Sequence, residues 1–358
     1  MQTKKRVGVI TLPFTPNYGW LLQVYALQRM LEKLGYEPIL IYRKWDKTKQ
    51  NSGIINALKR WIYYHVLCRK LYIFFEKNFF KTKLYRDVEC LKSVVDDYKL
   101  DAVIVGSDQV WRFENTRGAG YNFFLDFVVS ENVSRIAYAA SFGVDCWTGT
   151  VDELYTVRQL LKRFKAVSVR ETTGVTLCRD VLNVKALLVL DPTLLLTSID
   201  YNSLIRKNSL KSQETLSTYI LDPSVEKDKL INNIALKKHL CVKSLYIDNR
   251  KGKIHTYSSL QYWLSGIRDA EYVVVDSFHG MVFSIIFKKN FLVLANKHRG
   301  LTRFESLLMM LGLKDRLVYD IDNIDYNIIN QNIDYAKVDK LLEQQRNLSI
   351  NFLRTNID

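Results

Sequence analysis

The sequence predicts an α/β fold with mostly parallel sheets, and three observations carry that reading. Short apolar, β-branched runs alternate with stretches that are apolar at helical spacing along the whole chain, the pattern of strands joined by helices. The opening residues spell one such unit: the strand Val7–Leu12, an apolar-periodic segment from Trp20 to Leu31 stopped by Gly35, and the strand Pro38–Ile41. The run Tyr272-Val273-Val274-Val275 ends abruptly in Asp276-Ser277-Phe278-His279-Gly280 and passes straight into the apolar stretch Met281–Phe287, a buried strand feeding a buried helix.

Further strands are expected at Ala102–Val105, Arg135–Ala139, Ala166–Val169 and Ala186–Leu190 in the first half, and at Leu216–Leu221, Lys243–Ile247, Tyr272–Val275 and Phe291–Leu294 in the second. Helices are expected near Glu226–Lys238, Ser259–Ile267 and Gly280–Phe287. A boundary near 196–200 follows from Asp191-Pro192-Thr193, which ends one regular region, and from Asp200, which suits a new helix cap. The predicted organisation is a first domain over 1–196 with a basic, aromatic helical insert at 43–92, a second domain over 197–335, and a C-terminal helix within 336–358 that packs back across the domains.

At 358 residues, 48% hydrophobic and 25% charged, the chain has the composition of a folded protein with two ordinary cores. Its apolar runs fall short of the roughly 20 residues of a membrane-spanning helix. The stretch after the basic start is too short for a secretory leader, so a cytoplasmic protein is expected. Five scattered cysteines with no C-x-x-C pair suggest neither a disulfide framework nor a metal site. The charge is uneven: between Arg43 and Arg86 twelve Lys or Arg face only Asp46 and Glu76, so +10 of the net +15 lies there, interleaved with ten aromatic residues. That pattern suits either an anionic membrane surface, with the protein peripheral on the inner face of the cell membrane, or helices that pack their aromatics inward and solvate their lysines. Nucleic acid is not expected, because no nucleic-acid module is spelled out.

The carboxyl ends of parallel strands collect whatever follows each strand, so the polar punctuation marks there are read as one cluster. Asn17 and Gly19 suit a turn with exposed amides at the head of the first helix. Ser107, Asp108 and Gln109 follow the third strand and put a carboxylate and an amide on a turn, with Asp108 read either as a functional group or as a helix cap. Ser141 lies among small residues that allow close approach. Arg170 and Glu171 follow the fifth strand, where the guanidinium either grips a phosphate or carboxylate or forms an ion pair with Glu171. Ser277, His279 and Gly280 stand at a helix N-terminus, where unpaired amides and the helix dipole favour an anion. The bland alternative is a core histidine beside a serine cap. Arg299 and Arg303 add positive charge after the strand at 291–294, with Arg303 read alternatively as an anchor for its helix.

Seven stretches in order carry a resemblance: Asn17-Tyr18-Gly19, Gly106-Ser107-Asp108-Gln109-Val110-Trp111, Tyr138-Ala139-Ala140-Ser141-Phe142-Gly143, Val169-Arg170-Glu171, Asp191-Pro192-Thr193, Asp276-Ser277-Phe278-His279-Gly280 and Arg303-Phe304-Glu305-Ser306-Leu307-Leu308. Together they resemble the polysaccharide pyruvyl transferase family. The resemblance implies two Rossmann-like domains facing across a cleft, similar to GT-B glycosyltransferases. It also implies transfer of pyruvate from phosphoenolpyruvate, the donor substrate, to a sugar acceptor, as a ketal across two hydroxyls of a cell-surface polysaccharide (exopolysaccharide or capsule) or its lipid-linked precursor. The family's histidine and arginine functions fall on His279 and Arg170. Such chemistry needs an acid, a base and cationic groups, here His279, Asp108 and Arg170, with no cofactor and no metal expected. The rivals are a glycosyltransferase using a nucleotide sugar and a non-catalytic subunit of a polysaccharide assembly complex.

Overall fold

The structure is a computed structural model that describes residues 4–44, 58–59, 61–116, 119–205, 214–246, 257–296 and 300–358. The chain divides into two units. The first comprises Met1–Leu58, Phe75–Leu195 and Gln344–Asp358, and the second Lys59–Phe74 and Leu196–Glu343. The stretch read as one insert at 43–92 is therefore shared, its middle going with the second unit. The helix Tyr335–Ile357 belongs to the second unit up to Glu343 and to the first beyond it.

The first unit is built on a six-stranded parallel sheet of β1 (Arg6–Ile10), β2 (Glu37–Leu40), β3 (Ala102–Val105), β4 (Ser134–Ala140), β5 (Ala166–Val169) and β6 (Leu187–Leu188), in the order β2-β1-β3-β4-β5-β6. The four residues of β3 are fully buried, as a sheet covered on both faces demands. The first helix, Tyr18–Lys33, starts where the Asn17 side chain accepts from the Trp20 amide and buries most of its length. The core packs Val103, Val105, Val167 and Val169 with Trp111, Phe123 and Phe124, and the Trp111 and Phe124 rings stack with centroids 5.2 Å apart. The last turns of the C-terminal helix fasten onto this unit through Ser349 Oγ, which accepts from the Leu190 amide at 3.0 Å, and through Phe352 against Tyr138.

The second unit carries a five-stranded parallel sheet of β7 (Thr215–Tyr219), β8 (Cys241–Ser244), β9 (Tyr272–Val275), β10 (Asn290–Leu294) and β11 (Leu317–Val318), ordered β11-β10-β9-β7-β8. Serines cap three of its helices: Ser224 before Val225–Lys238, Ser259 before Leu260–Arg268 and Ser277 before Phe278–Ile286. The last begins two residues earlier than the apolar run suggested, because the cap is Ser277 itself, and this draws His279 into the first turn. β11 has two residues and no periodicity to read, and β6 is two residues rather than the expected five. Ile247, the end of one predicted strand, lies outside the described residues.

Each sheet changes direction once. In the first, the chain moves outward from β1 to β2 and then returns to place β3 on the other side of β1. In the second, β8 and β9 flank β7 in the same way. The carboxyl ends of β1 and β3, and of β7 and β9, are therefore the switch points at which open parallel sheets leave room for a ligand.

Candidate active site

At the switch point of the second sheet, Asp276 is fully buried and gathers three other segments. Its carboxylate accepts from the amides of Leu221 (2.6 Å) and Asp222 (3.1 Å) beyond β7, pairs with Lys227 Nζ at 2.8 Å, and receives Asn296 Nδ2, beyond β10, at 3.4 Å. Asn296 also donates to Asp222 at 2.5 Å. Lys227 stands in the first turn of its helix, where the dipole disfavours a cation, and the buried carboxylate offsets that. Asp276 entered the sequence reading only as the first residue of its motif, and Lys227 and Asn296 were not singled out. The misplaced charge of Lys227 was the available signal.

The framework holds Ser277 and His279 beside the β7 loop. Ser277 Oγ caps the helix by accepting from the Gly280 amide, and the half-buried His279 ring stands edge-on to Phe278 with centroids 5.4 Å apart. Gly280 was read as part of the anion-favouring helix start. Its Cα instead faces the strand, where a Cβ would lie 2.9 Å from Val275 Cγ1, so it serves helix-to-sheet packing. Arg303 is buried, its guanidinium 5.3 Å above the Phe278 ring, which anchors the helix Thr302–Met310 to the residue beside His279. Arg299 lies outside the described residues.

In the first unit the strand-end motifs bond to one another. Arg170 is 4% exposed, and its ion-pair partner is Asp191, at 2.6 Å, rather than the neighbouring Glu171. The same nitrogen donates to Ser107 Oγ at 3.2 Å. Asp191 further accepts from Ser107 Oγ, from the Thr193 amide and from Thr193 Oγ1. Ser107 also receives Thr11 Oγ1 on its carbonyl at 2.8 Å, tying the ends of β1 and β3. Glu171 is fully buried, and one carboxylate oxygen takes the Ser141 hydroxyl (3.0 Å) and the amides of Phe142 (2.7 Å) and Gly143 (3.1 Å), clamping the loop after β4. Burial, with the Glu171 charge added, pushes the nearby Cys178 thiol up to about 12.

Asp108 is no helix cap. It has φ +89°, a conformation that side chains other than glycine rarely hold, and its carboxylate accepts from the next amide, of Gln109, at 2.8 Å. Its backbone bridges to Ala140, beside Ala139 at φ +50°, where the β4–β5 register shifts. Ser168 Oγ supports this irregularity, accepting from the Ala139 amide and donating to the Ala137 carbonyl. Gln109 reaches over Gly143, whose φ of +70° and missing Cβ leave that space. Asp108 and Gln109 are half-buried, whereas Asn17, the cap of the first helix with Gly19 inside it, is exposed. Asn17, Gly19, Ser107, Asp108, Gln109, Ser141, Arg170 and Glu171 thus lie in the first unit, and Ser277, His279, Gly280 and Arg303 in the second.

The family model described as polysaccharide pyruvyl transferase matches residues 17–298, most of the chain and six of the seven motifs. The chain belongs to the polysaccharide pyruvyl transferase family. Membership makes it a transferase by family. No curated protein matches this transferase. Solved structures do. The UDP-GlcNAc 2-epimerase from Neisseria meningitidis bound to UDP-GlcNAc is 11% identical, with a TM-score of 0.52 over 98% of this chain and 100% of that one. The UDP-GlcNAc 2-epimerase from Methanocaldococcus jannaschii is 12% identical, with a TM-score of 0.51 over 94% and 92%. The S. aureus MnaA–UDP co-structure is 12% identical, with a TM-score of 0.52 over 96% and 90%. At such identity the likeness is one of fold, two parallel-sheet α/β domains of the kind found in GT-B enzymes. Among the described residues no group of His, Cys, Asp and Glu is arranged to hold a metal ion, and no helix is long and apolar enough to cross a membrane.

Proposed function

We propose that this pyruvyl transferase moves the pyruvyl group of phosphoenolpyruvate onto a pair of sugar hydroxyls, with His279 as the proton donor. The observation that carries the reading is the position of His279: in the first turn of a helix, at the switch point of its sheet, in a chain whose family is defined by pyruvyl transfer. The enol methylene takes a proton and becomes a methyl group. The cationic carbon left behind is attacked by one hydroxyl, phosphate departs, and a second hydroxyl closes the ketal. Of the two hydroxyl protons released, one balances the proton given to carbon and the other leaves with phosphate.

The amides and dipole of the helix Phe278–Ile286 suit the donor's anionic groups. Asp108 is assigned to the acceptor side, as base or as a hydrogen-bond acceptor for sugar hydroxyls, with Gln109 and Asn17 as further polar contacts. Arg170 is assigned to positioning: its link to Asp191 and Ser107 sets the strand-end loops from which Asp108 projects.

The test is incubation with phosphoenolpyruvate and a panel of nitrophenyl and lipid-linked glycosides, reading phosphate release together with the mass gain of a pyruvate ketal. His279→Asn should lose about 10²–10⁴-fold in rate while keeping its fold and donor binding. A variant that retains more than about a tenth of the rate overturns the histidine's role. Turnover of nucleotide sugars without phosphate release from phosphoenolpyruvate overturns the reaction in favour of glycosyl transfer.

A further inference from the structure

The basic, aromatic stretch sorts into two parts that the sequence did not separate. One part is core. Arg43 is 1% exposed, its guanidinium bonded to Asn122 Oδ1 and to the Arg86 carbonyl, and Phe75 stacks on Phe14 with centroids 4.5 Å apart. Lys81 and Lys83 are paired with Glu76 and Asp97. The other part lies within 59–74, in the second unit. There the π-helical turn Tyr63–Leu67 runs into the helix Arg69–Asn78. Its inner side is buried at Cys68 and Leu71 (both 0%) and Phe74 (7%), whereas Trp61 (56%), Ile62 (40%), Val66 (47%) and Ile73 (38%) are exposed. The segment is held in place, because the Leu67 carbonyl accepts from the Tyr257 amide at 2.8 Å and the Tyr63 side chain bonds to that of Tyr257. Four large apolar side chains are thus displayed on a fixed support.

We infer that this outer side of 59–74 docks on an anionic lipid surface. Charge decides the occupant. From residue 47 to residue 75 the sequence has six Lys or Arg and no Asp or Glu, and Lys59, Arg69 and Lys70 are exposed beside the apolar residues. Apolar insertion with a basic flank matches a bilayer whose headgroups are negative. Trp61 suits the headgroup level, and lysine stems can lie along the apolar surface with their charges outward. A second copy of the chain would bring the same uncompensated positive charges together, which opposes self-association through this side. Lys47, Lys49 and Arg60 count in the charge but lie outside the described residues.

The test uses the full chain with vesicles of phosphatidylcholine alone and of phosphatidylcholine mixed with phosphatidylglycerol, read by co-sedimentation. Binding to the anionic vesicles should exceed binding to the neutral ones at least about tenfold at low salt, and should be lost near about 1 M salt, where charges are screened beyond about 3 Å. Two variants, Trp61→Ser with Ile62→Ser and Val66→Ser, and Lys59→Glu with Lys70→Glu, should each bind at least about tenfold more weakly. Both change only exposed side chains, and an unchanged circular dichroism spectrum and unfolding midpoint would establish that the fold survives. No binding to either vesicle, equal binding to both, or wild-type binding by the variants overturns the inference. Concentration-dependent self-association that the Trp61 variant abolishes, without vesicle binding, would overturn it in favour of a second copy. These readouts involve no turnover, so they stand or fall apart from the proposed reaction.

Discussion

Replacing Arg170 by methionine separates a group that holds the site together from one that grips the donor. The guanidinium side chain is 2% exposed and the Asp191 side chain 0%, at 2.6 Å. Removing one member of such a pair leaves a buried charge uncompensated, a loss of about 3–5 kcal/mol, whereas an exposed pair would be worth under about 1 kcal/mol. For a domain of this size that corresponds to a fall of about 6–20 °C in the melting temperature of the first unit. Arg170→Lys keeps the charge but not the fork, so it should lose less. Combining Arg170→Met with Asp191→Asn, which leaves an acceptor for Ser107 and Thr193, should cost less than the sum of the single changes, because the unpaired charge is gone. Thermal unfolding followed by circular dichroism supplies the four values of the cycle, and initial rates supply the Michaelis constants. If Arg170→Met melts within about 2 °C of the wild type while its constant for phosphoenolpyruvate rises at least about tenfold, the positioning role is refuted and direct donor recognition replaces it.

Gly280→Ala should destabilise the second unit by about 1–3 kcal/mol in denaturant unfolding, since its Cβ would sit 2.9 Å from Val275 Cγ1, and an unchanged midpoint would show that the helix can shift freely. A thiol-reactive maleimide at neutral pH should modify the exposed Cys90, Cys146 and Cys241 and spare Cys68 and Cys178, whose thiols burial pushes up to about 11 and about 12, until the protein is unfolded; intact mass before and after denaturation reads the difference. Raising the pH should expose a related linkage at Tyr36, pushed up to about 12 by burial and by its bond to Asp358. The hydroxyl's contribution is complete below the unfolded value near 10 and is lost as pH rises through about 12, so Tyr36→Phe should flatten the stability profile only in that window.

The parallel sheets were legible because buried strands leave a compositional trace. β3, β5 and β9 are short apolar runs with abrupt ends, and their predicted bounds coincide with those observed. The two-residue strands β6 and β11 leave no such trace. Pairing partners are equally hidden: the sequence offers Glu171 as the nearest carboxylate to Arg170, yet the ion pair goes to Asp191, because β6 lies next to β5 and brings Asp191 alongside. The strained turn at Asp108 and Ala139 is invisible for a related reason. Neither residue is one that favours positive φ strongly enough to announce it, and the conformation is imposed by the bridge between the ends of β3 and β4.

Exposure sorts the motif residues into two kinds that sequence alone merges. Ser107, Ser141, Arg170, Glu171, Asp191 and Asp276 are all at or below 4% exposed, and each bonds to a neighbouring strand end. Asp108, Gln109 and His279 are half-buried, and Asn17 is exposed. Buried polar groups cost free energy unless paired, and the bonds of the first kind tie the strand-end framework together. The second kind has surface to offer a substrate. Changes at the first should therefore lower stability and activity together, and changes at the second should lower activity in a protein that still unfolds as the wild type does. In the stretch 276–280 both kinds stand three residues apart: Asp276 binds the loop beyond β7 and, through it, holds in place the turn from which His279 presents its ring.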